Sequence, residues 1–132
     1  MKKRLQVTCG VIEKEGKFLI VQRGETMRYA LKWEFPGGKI EAGETLKECM
    51  KRELKEELDI EVEVSERLDT VFREYKELTI ELIPFRCQII KGEITLLEHL
   101  DMAWIDIEQP IEQELCGGDY IIAEQLKAEQ LK

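Results

Sequence analysis

Residues 7–12 and 17–21 are two apolar-rich runs separated by Glu13-Lys14-Glu15-Gly16, the pattern of a β-hairpin with a glycine-containing turn. Residues 24–32 are polar and mixed and read as a loop. Trp33-Glu34-Phe35-Pro36-Gly37-Gly38 is a short extended piece broken by Pro-Gly-Gly. A long helix is predicted over 45–58, where Thr45 and Glu48 have capping-box spacing and the interior holds neither Pro nor Gly. Residues 60–64 then alternate at period two, as a half-buried strand does. Residues 68–75 read as another strand. Residues 78–90 read as a longer one, in which Pro84 predicts an edge position or a bulge. A short strand at 102–107 follows. The tail, residues 119–131, carries Ile121, Ile122, Leu126 and Leu131 in a helical pattern. Without a linker, repeat or low-complexity segment, the chain reads as one mixed α/β domain over residues 1–132, of undetermined topology.

The helix at 45–58 carries an anomaly. At about 100° per residue with Glu53 at zero, Leu46, Cys49, Met50, Leu54 and Leu58 span an apolar arc from about −40° to +140°. Glu53 and Glu57 fall inside that arc and Glu56 on its margin, whereas Lys51, Lys55, Glu48 and Arg52 take the opposite side. Unpaired carboxylates turned towards a core cost several kcal/mol each, or take up protons. Arg52, four residues before Glu56, is one compensating partner. A single guanidinium cannot neutralise three acids, and an all-oxygen cluster suits Mg²⁺ or Mn²⁺. From spacing alone two readings stand: a solvated acidic face, or a divalent metal site.

Composition narrows the chemistry. The 132 residues include 20 Lys and Arg against 28 Asp and Glu, a formal charge of −8, which disfavours a nucleic acid polymer as partner. No apolar run approaches the ~20 residues needed to cross a bilayer, and the start leads into no signal-peptide region, so the expected location is cytoplasmic. Cys9, Cys49, Cys87 and Cys116 form no C-x-x-C, which makes a zinc site a poor reading and reduced thiols the plain one. Ser65 and His99 are the single serine and histidine, and Ser65 has no nucleophile-elbow glycines around it. Carboxylates must carry any catalysis. His99, beside Glu98, reads first as an exposed or hydrogen-bonding loop residue; Trp33 and Trp104 read as packing residues.

Residues 38–60, GKIEAGETLKECMKRELKEELDI, resemble the Nudix box, G-x5-E-x7-R-E-U-x-E-E-x-G-U with U a bulky aliphatic. Gly38, Glu44, Arg52, Glu53, Leu54, Glu56, Glu57 and Ile60 match it. Asp59 stands where the box has glycine, a position that ends the helix in a left-handed conformation, which Asp tolerates better than most residues. The Met-Lys-Lys start, residues 33–39, Glu98, Trp104 and the overall length are similar to the MutT branch of that superfamily. The resemblance implies the Nudix fold, an α/β/α sandwich around a mixed β-sheet. It also implies Mg²⁺-dependent cleavage of a nucleoside triphosphate to the monophosphate and pyrophosphate.

Site roles follow as expectations. Glu53, Glu56 and Glu57 hold Mg²⁺, for which Mn²⁺ is a possible substitute, with a Gly37 or Gly38 carbonyl as a further ligand. Glu98 corresponds to a metal- or base-bearing position in the family. Glu53 is the first choice for general base, Glu98 the second and Glu44 the third. Arg52 orients the acids. Arg23 and Lys39 are phosphate contacts by charge, which the resemblance supports. Phe35 is assigned a stacking face for the base, with Leu5, Val7, Ile80 and Leu82 lining the pocket. Asp119 is either the N-cap of the last helix or, as the resemblance suggests, a polar reader of the base. An ionised Asp only accepts hydrogen bonds, which suits guanine N1–H and N2–H₂ or the cytosine amino group. The expected substrate is 8-oxo-dGTP, with CTP, dCTP or methylated dCTP as the alternative. Two other classes compete: a Nudix-like sensor that binds without turnover, and an acidic protein-interaction module.

Overall fold

The computed structural model describes residues 2–130. Its elements are β1 (Lys3–Lys14), β2 (Lys17–Gln22), β3 (Trp33–Glu34), α1 (Leu46–Leu58), β4 (Glu61–Arg67), β5 (Val71–Glu74), β6 (Leu78–Lys91), β7 (Asp101–Ile105) and α2 (Gly117–Gln130). Leu131, assigned above to the last helix, lies outside the described residues. Among the described residues, no helix is long and apolar enough to cross a membrane.

The first hairpin forms, with Glu15 and Gly16 both at positive φ in a two-residue turn. It then opens. β1 and β2 pair only at Glu13↔Phe18 and Lys14↔Lys17. From there β1 runs parallel to β6, from Lys3↔Leu78 to Ile12↔Cys87, while β2 pairs antiparallel with β7 and β3. The strand order is β3-β2-β1-β6-β4, with β5 beside β6 and β7 beside β2. Strands buried on both faces explain the continuous apolar runs. Along β2, Phe18 and Ile20 join the core beneath α2, and Leu19 and Val21 the core beneath α1. Helices thus cover both faces of a mixed sheet, as the α/β/α expectation required. Trp33 packs against the α2-side core and Trp104 against the α1-side core.

Three sequence expectations need correction. Pro84 is not on an edge strand: β6 is flanked by β1 on one side and by β4 and β5 on the other. The bulge reading holds, because the β4–β6 register shifts between Val64 and Arg67, and Leu68 N–H donates to the Pro84 carbonyl at 2.8 Å. The missing amide of Pro84 therefore falls where β4 hands over to β5. The strand expected at 68–75 is shorter, residues 71–74, for the same reason. Finally, α2 begins at Gly117, so Asp119 lies inside its first turn and is not its N-cap.

Candidate active site

Helix α1 positions the acids. Thr45 closes both halves of the capping box with Glu48, and Asp59 takes φ 56°, ψ 40°, its N–H donating to the Lys55 carbonyl. Met50, Leu54 and Leu58 are fully buried. Each is worth about 1.5–3 kcal/mol of burial, enough to hold the helix face inward with its acids. Glu57 goes with them, at 4 % exposure. The side chains of Glu53 and Glu56 are 16 % and 52 % exposed, the order the helical wheel implies.

The Pro36–Lys39 stretch is stitched to β1 by Gly10 N–H to Pro36 O, Thr8 N–H to Gly38 O and Ile40 N–H to Gln6 O. Space is short at both glycines, against backbone at Gly37 and against a movable side chain at Gly38. A Cβ on Gly37 would lie 1.9 Å from the Thr8 oxygen, and one on Gly38 2.4 Å from the Glu53 carboxyl carbon. Of the two carbonyls expected to face a metal, that of Gly38 is occupied by Thr8, at 2.8 Å from its amide and 3.2 Å from its hydroxyl.

Arg52 is the hub. Its Nε and Nη2 grip Glu44 at 3.0 and 2.8 Å, Nη1 reaches Glu53 at 2.9 Å and Glu56 at 3.0 Å, and Nη2 also reaches the Lys39 carbonyl. These bonds hold Glu44 down at about 2, chiefly through Arg52 and then through the Glu41 amide. A carboxylate so anchored is a poor general base. Glu53 is pushed above its ordinary value by burial, with the charges of Glu56 and Glu98 adding and Arg52 opposing. Burial, followed by the charges of Glu53, Glu34 and Glu98, pushes Glu57 up to about 9. Glu98 is exposed, in the β6–β7 segment that docks on the end of α1 through Thr95 N–H to Leu58 O and Leu97 N–H to Glu57 O.

These residues fit a hard divalent cation. Glu57 Oε2 is buried without a hydrogen-bond partner, and Glu53 and Glu98, whose charges act on it, offer oxygen donors. With Glu53 and Glu56 turned to Arg52, no three acidic, His or Cys side chains among the described residues already converge in a metal-binding group.

Glu34 carries no role in the sequence reading, and of the two readings of His99 the hydrogen-bonding loop residue is the one observed. The His99 ring is not exposed: its side chain is 0 % accessible, with Nε2 2.9 Å from Glu34 Oε2 and 4.0 Å from Glu57 Oε1. The other Glu34 oxygen accepts from Arg23 Nη1 at 2.8 Å. The available signal was the one used for Glu53, an acid flanked by Trp33 and Phe35 in an apolar setting. Lys39 is exposed beside the site.

Around the α2 N-terminus the strand pairings Leu5↔Ile80 and Val7↔Leu82 put four expected pocket residues on the sheet face under α2. Phe35 is 2 % exposed and lies within the α2-side core, so its ring presents no open face; its N–H donates to Asp119 Oδ1 at 2.9 Å. Asp119 is pushed up to about 7, by burial first and by the Glu34 charge, against the Phe35 amide. Arg73 stands beside them. It pairs in register with Ile80, and its Nη2 lies 2.8 Å from where a Gly117 Cβ would stand. Among the described residues it makes no ion pair. Beside Ile80, Arg28, Tyr29 and Tyr75 wall a cavity of about 400 Å³.

Comparison with known proteins agrees with this geometry. Residues 2–125 match the model of the NUDIX domain. The chain is 32 % identical to the CTP pyrophosphohydrolase of Escherichia coli K12 over 96 % of its own length and 93 % of that protein. It is 39 % identical to an 8-oxo-dGTP diphosphatase of Proteus vulgaris over 71 % of its length and 85 % of that protein. The solution structure of the E. coli ORF135 protein superposes with a TM-score of 0.85 at 31 % identity, over 98 % of this chain and 92 % of the other. With the family model spanning nearly the whole chain, and with relatives above 30 % identity over most of it, the chain belongs to the NUDIX domain family of hydrolases.

Proposed function

We propose that the protein is a divalent-cation-dependent nucleoside triphosphate pyrophosphohydrolase, with Mg²⁺ the metal its oxygen donors suit best. The observation that carries the reading is the buried, partnerless oxygen of Glu57 beneath Glu53 and the Gly37-Gly38 turn. Glu53, Glu56 and Glu57 would hold the cation, with Glu98 at the rim and the Gly37 carbonyl as the backbone donor. When bound, the cation neutralises the triphosphate and lowers the pKa of an attacking water. Arg52 keeps Glu53 and Glu56 oriented without touching substrate. Glu53 accepts the proton of the attacking water; Glu98 is the second candidate for that role. Lys39 supplies a cation to the departing pyrophosphate, and Arg23 faces the α-phosphate side. Water adds to phosphorus, the α–β anhydride bond breaks, and nucleoside monophosphate and pyrophosphate leave.

The base is read by Asp119 and Arg73. Asp119 Oδ1 is already engaged by Phe35, which leaves Oδ2, in the ionised form that prevails above about pH 7, to accept one N–H. Arg73 supplies donors to ring acceptors. One N–H beside two acceptors is the edge of cytosine, and the near-full-length similarity to a CTP pyrophosphohydrolase supports the same choice. Tyr29 and Tyr75 supply the exposed aromatic faces that Phe35 does not. The second reading, 8-oxo-dGTP, draws on the higher identity to an 8-oxo-dGTP diphosphatase over a shorter stretch. Mg²⁺-dependent pyrophosphate release is measured as kcat/KM over ordinary, oxidised and methylated nucleoside triphosphates. Cytosine nucleotides are expected to lead, and 8-oxo-dGTP ranking above them reverses the order of the two readings. Absence of Mg²⁺-dependent release from every nucleotide, or release that survives Glu53→Gln undiminished, overturns the enzymatic reading.

A further inference from the structure

We infer that His99 is a positioning residue that ties the metal-holding end of α1 to the loop of residues 24–32, so that the cation site and the nucleotide side of the cleft are set by one run of buried and half-buried polar side chains. The inference rests on the hydrolase reading above and adds a residue to it. His99 Nε2 hydrogen-bonds Glu34 Oε2 at 2.9 Å and faces Glu57 Oε1 at 4.0 Å, a contact of proximity and not a hydrogen bond. From Glu34 Oε1 the run continues at 2.8 Å to Arg23 Nη1. Arg23 in turn organises the loop. Its amide donates to Lys32 O, its carbonyl accepts from Leu31 N–H, and its Nε donates to Arg28 O.

Two features separate this from simple filling of space. The backbone on either side of His99 is pinned to different elements, Leu97 N–H to Glu57 O of α1 at 3.0 Å and Leu100 N–H to Gln22 O of β2 at 2.9 Å. The imidazole therefore sits at a fixed junction between them. Moreover, His99 Nδ1 is buried with no partner among the described residues. Burying a polar atom unpaired is unfavourable, so an apolar side chain would fill the same space with less penalty. The imidazole is explained by the directional hydrogen bond between Nε2 and Glu34 Oε2.

The test uses the full chain and compares His99→Leu with His99→Gln, whose amide nitrogen can stand where Nε2 stands. Readouts are Mn²⁺ affinity by electron paramagnetic resonance without nucleotide, KM and kcat for CTP or whichever triphosphate the panel favours, and Tm. His99→Leu is expected to weaken Mn²⁺ binding about tenfold, in the range for partners that orient metal ligands. It should raise KM more than it lowers kcat, and His99→Gln should recover most of both. Paired with Arg23→Gln, its effect on KM should be non-additive. Unchanged Mn²⁺ affinity and KM in His99→Leu, equal losses in Leu and Gln variants, or additivity with Arg23→Gln overturns the inference. If His99→Leu fails to fold, Glu34→Gln decides, since it breaks the same run with His99 intact. It should weaken Mn²⁺ binding, and no change there counts against the inference. Wild-type protein that binds Mn²⁺ but hydrolyses nothing removes the hydrolase reading and leaves the Mn²⁺ comparison standing.

Discussion

Arg52 grips Glu44 with two nitrogens, at 3.0 and 2.8 Å, across eight residues of sequence. The fork sets where the guanidinium sits, and therefore which way its remaining nitrogen draws Glu53 and Glu56. Lysine cannot reproduce a two-pronged contact. Arg52→Lys is expected to keep the fold and to lower kcat about 10- to 100-fold, as loss of a partner that orients metal ligands does. Steady-state pyrophosphate release together with Tm checks this; full activity in Arg52→Lys would mean the fork is dispensable.

Glu44, held at about 2 by the same fork, has a pH signature. A carboxylate whose folded value lies below its unfolded one stabilises the fold above the unfolded value, near 4.5, and loses that contribution as pH falls towards 2. Thermal melts of wild type and Glu44→Gln should therefore converge between about pH 4.5 and 2. A gap that stays constant across that window contradicts the assignment.

Glu57 has the opposite sign. Raised to about 9, it is neutral at pH 7 in the metal-free fold but ionised when unfolded, so stability falls as pH climbs from the unfolded value towards 9. A divalent cation requires the carboxylate, so binding should release about one proton near pH 7. Calorimetry in buffers of different ionisation enthalpy reads that proton directly. Glu57→Gln should abolish the release, raise the Tm of the metal-free protein above pH 7 and weaken Mn²⁺ binding.

The two glycines of the turn should respond differently to alanine. At Gly37 the added Cβ meets the Thr8 backbone oxygen at 1.9 Å, and neither strand can yield without breaking the stitching to β1. Gly37→Ala is expected to destabilise by more than about 3 kcal/mol and to abolish activity. At Gly38 the obstacle is the Glu53 carboxyl group, the far end of a side chain that can swing away. Gly38→Ala should fold nearly as well as wild type while losing metal affinity. Chemical denaturation and Mn²⁺ titration separate the two cases.

Asp119→Asn should keep the acceptor for the Phe35 amide and so remain folded, while presenting the base with an N–H donor where Asp119 presents its second oxygen. The ranking of bases by kcat/KM is expected to shift, with kcat for the best substrate changed less than the ranking. Asp119→Ala should in addition destabilise by about 1–3 kcal/mol, because the buried Phe35 N–H loses its acceptor. Equal losses for every base would remove Asp119 from base recognition.

Helix α1 was readable from the chain alone, down to its Thr45–Glu48 cap and the inward turn of Glu53 and Glu57, while the left-handed Asp59 followed from the Nudix-box resemblance. Those features depend on residues three or four apart, where helical geometry converts spacing into direction. The α/β/α class followed from the Nudix-box resemblance and is the architecture observed. Tertiary structure decided what distant segments bring together: His99 against Glu34, 65 residues apart, and Asp119 beneath Phe35, 84 apart. It also placed Pro84 inside the sheet at a bulge, sank the Phe35 ring into the core and brought Arg73 beside Gly117. No local period encodes such contacts, because they depend on strand register and on which face each helix covers. The chain by itself specified the carboxylates; folding specified which of them are buried, which share a guanidinium and which meets a buried imidazole.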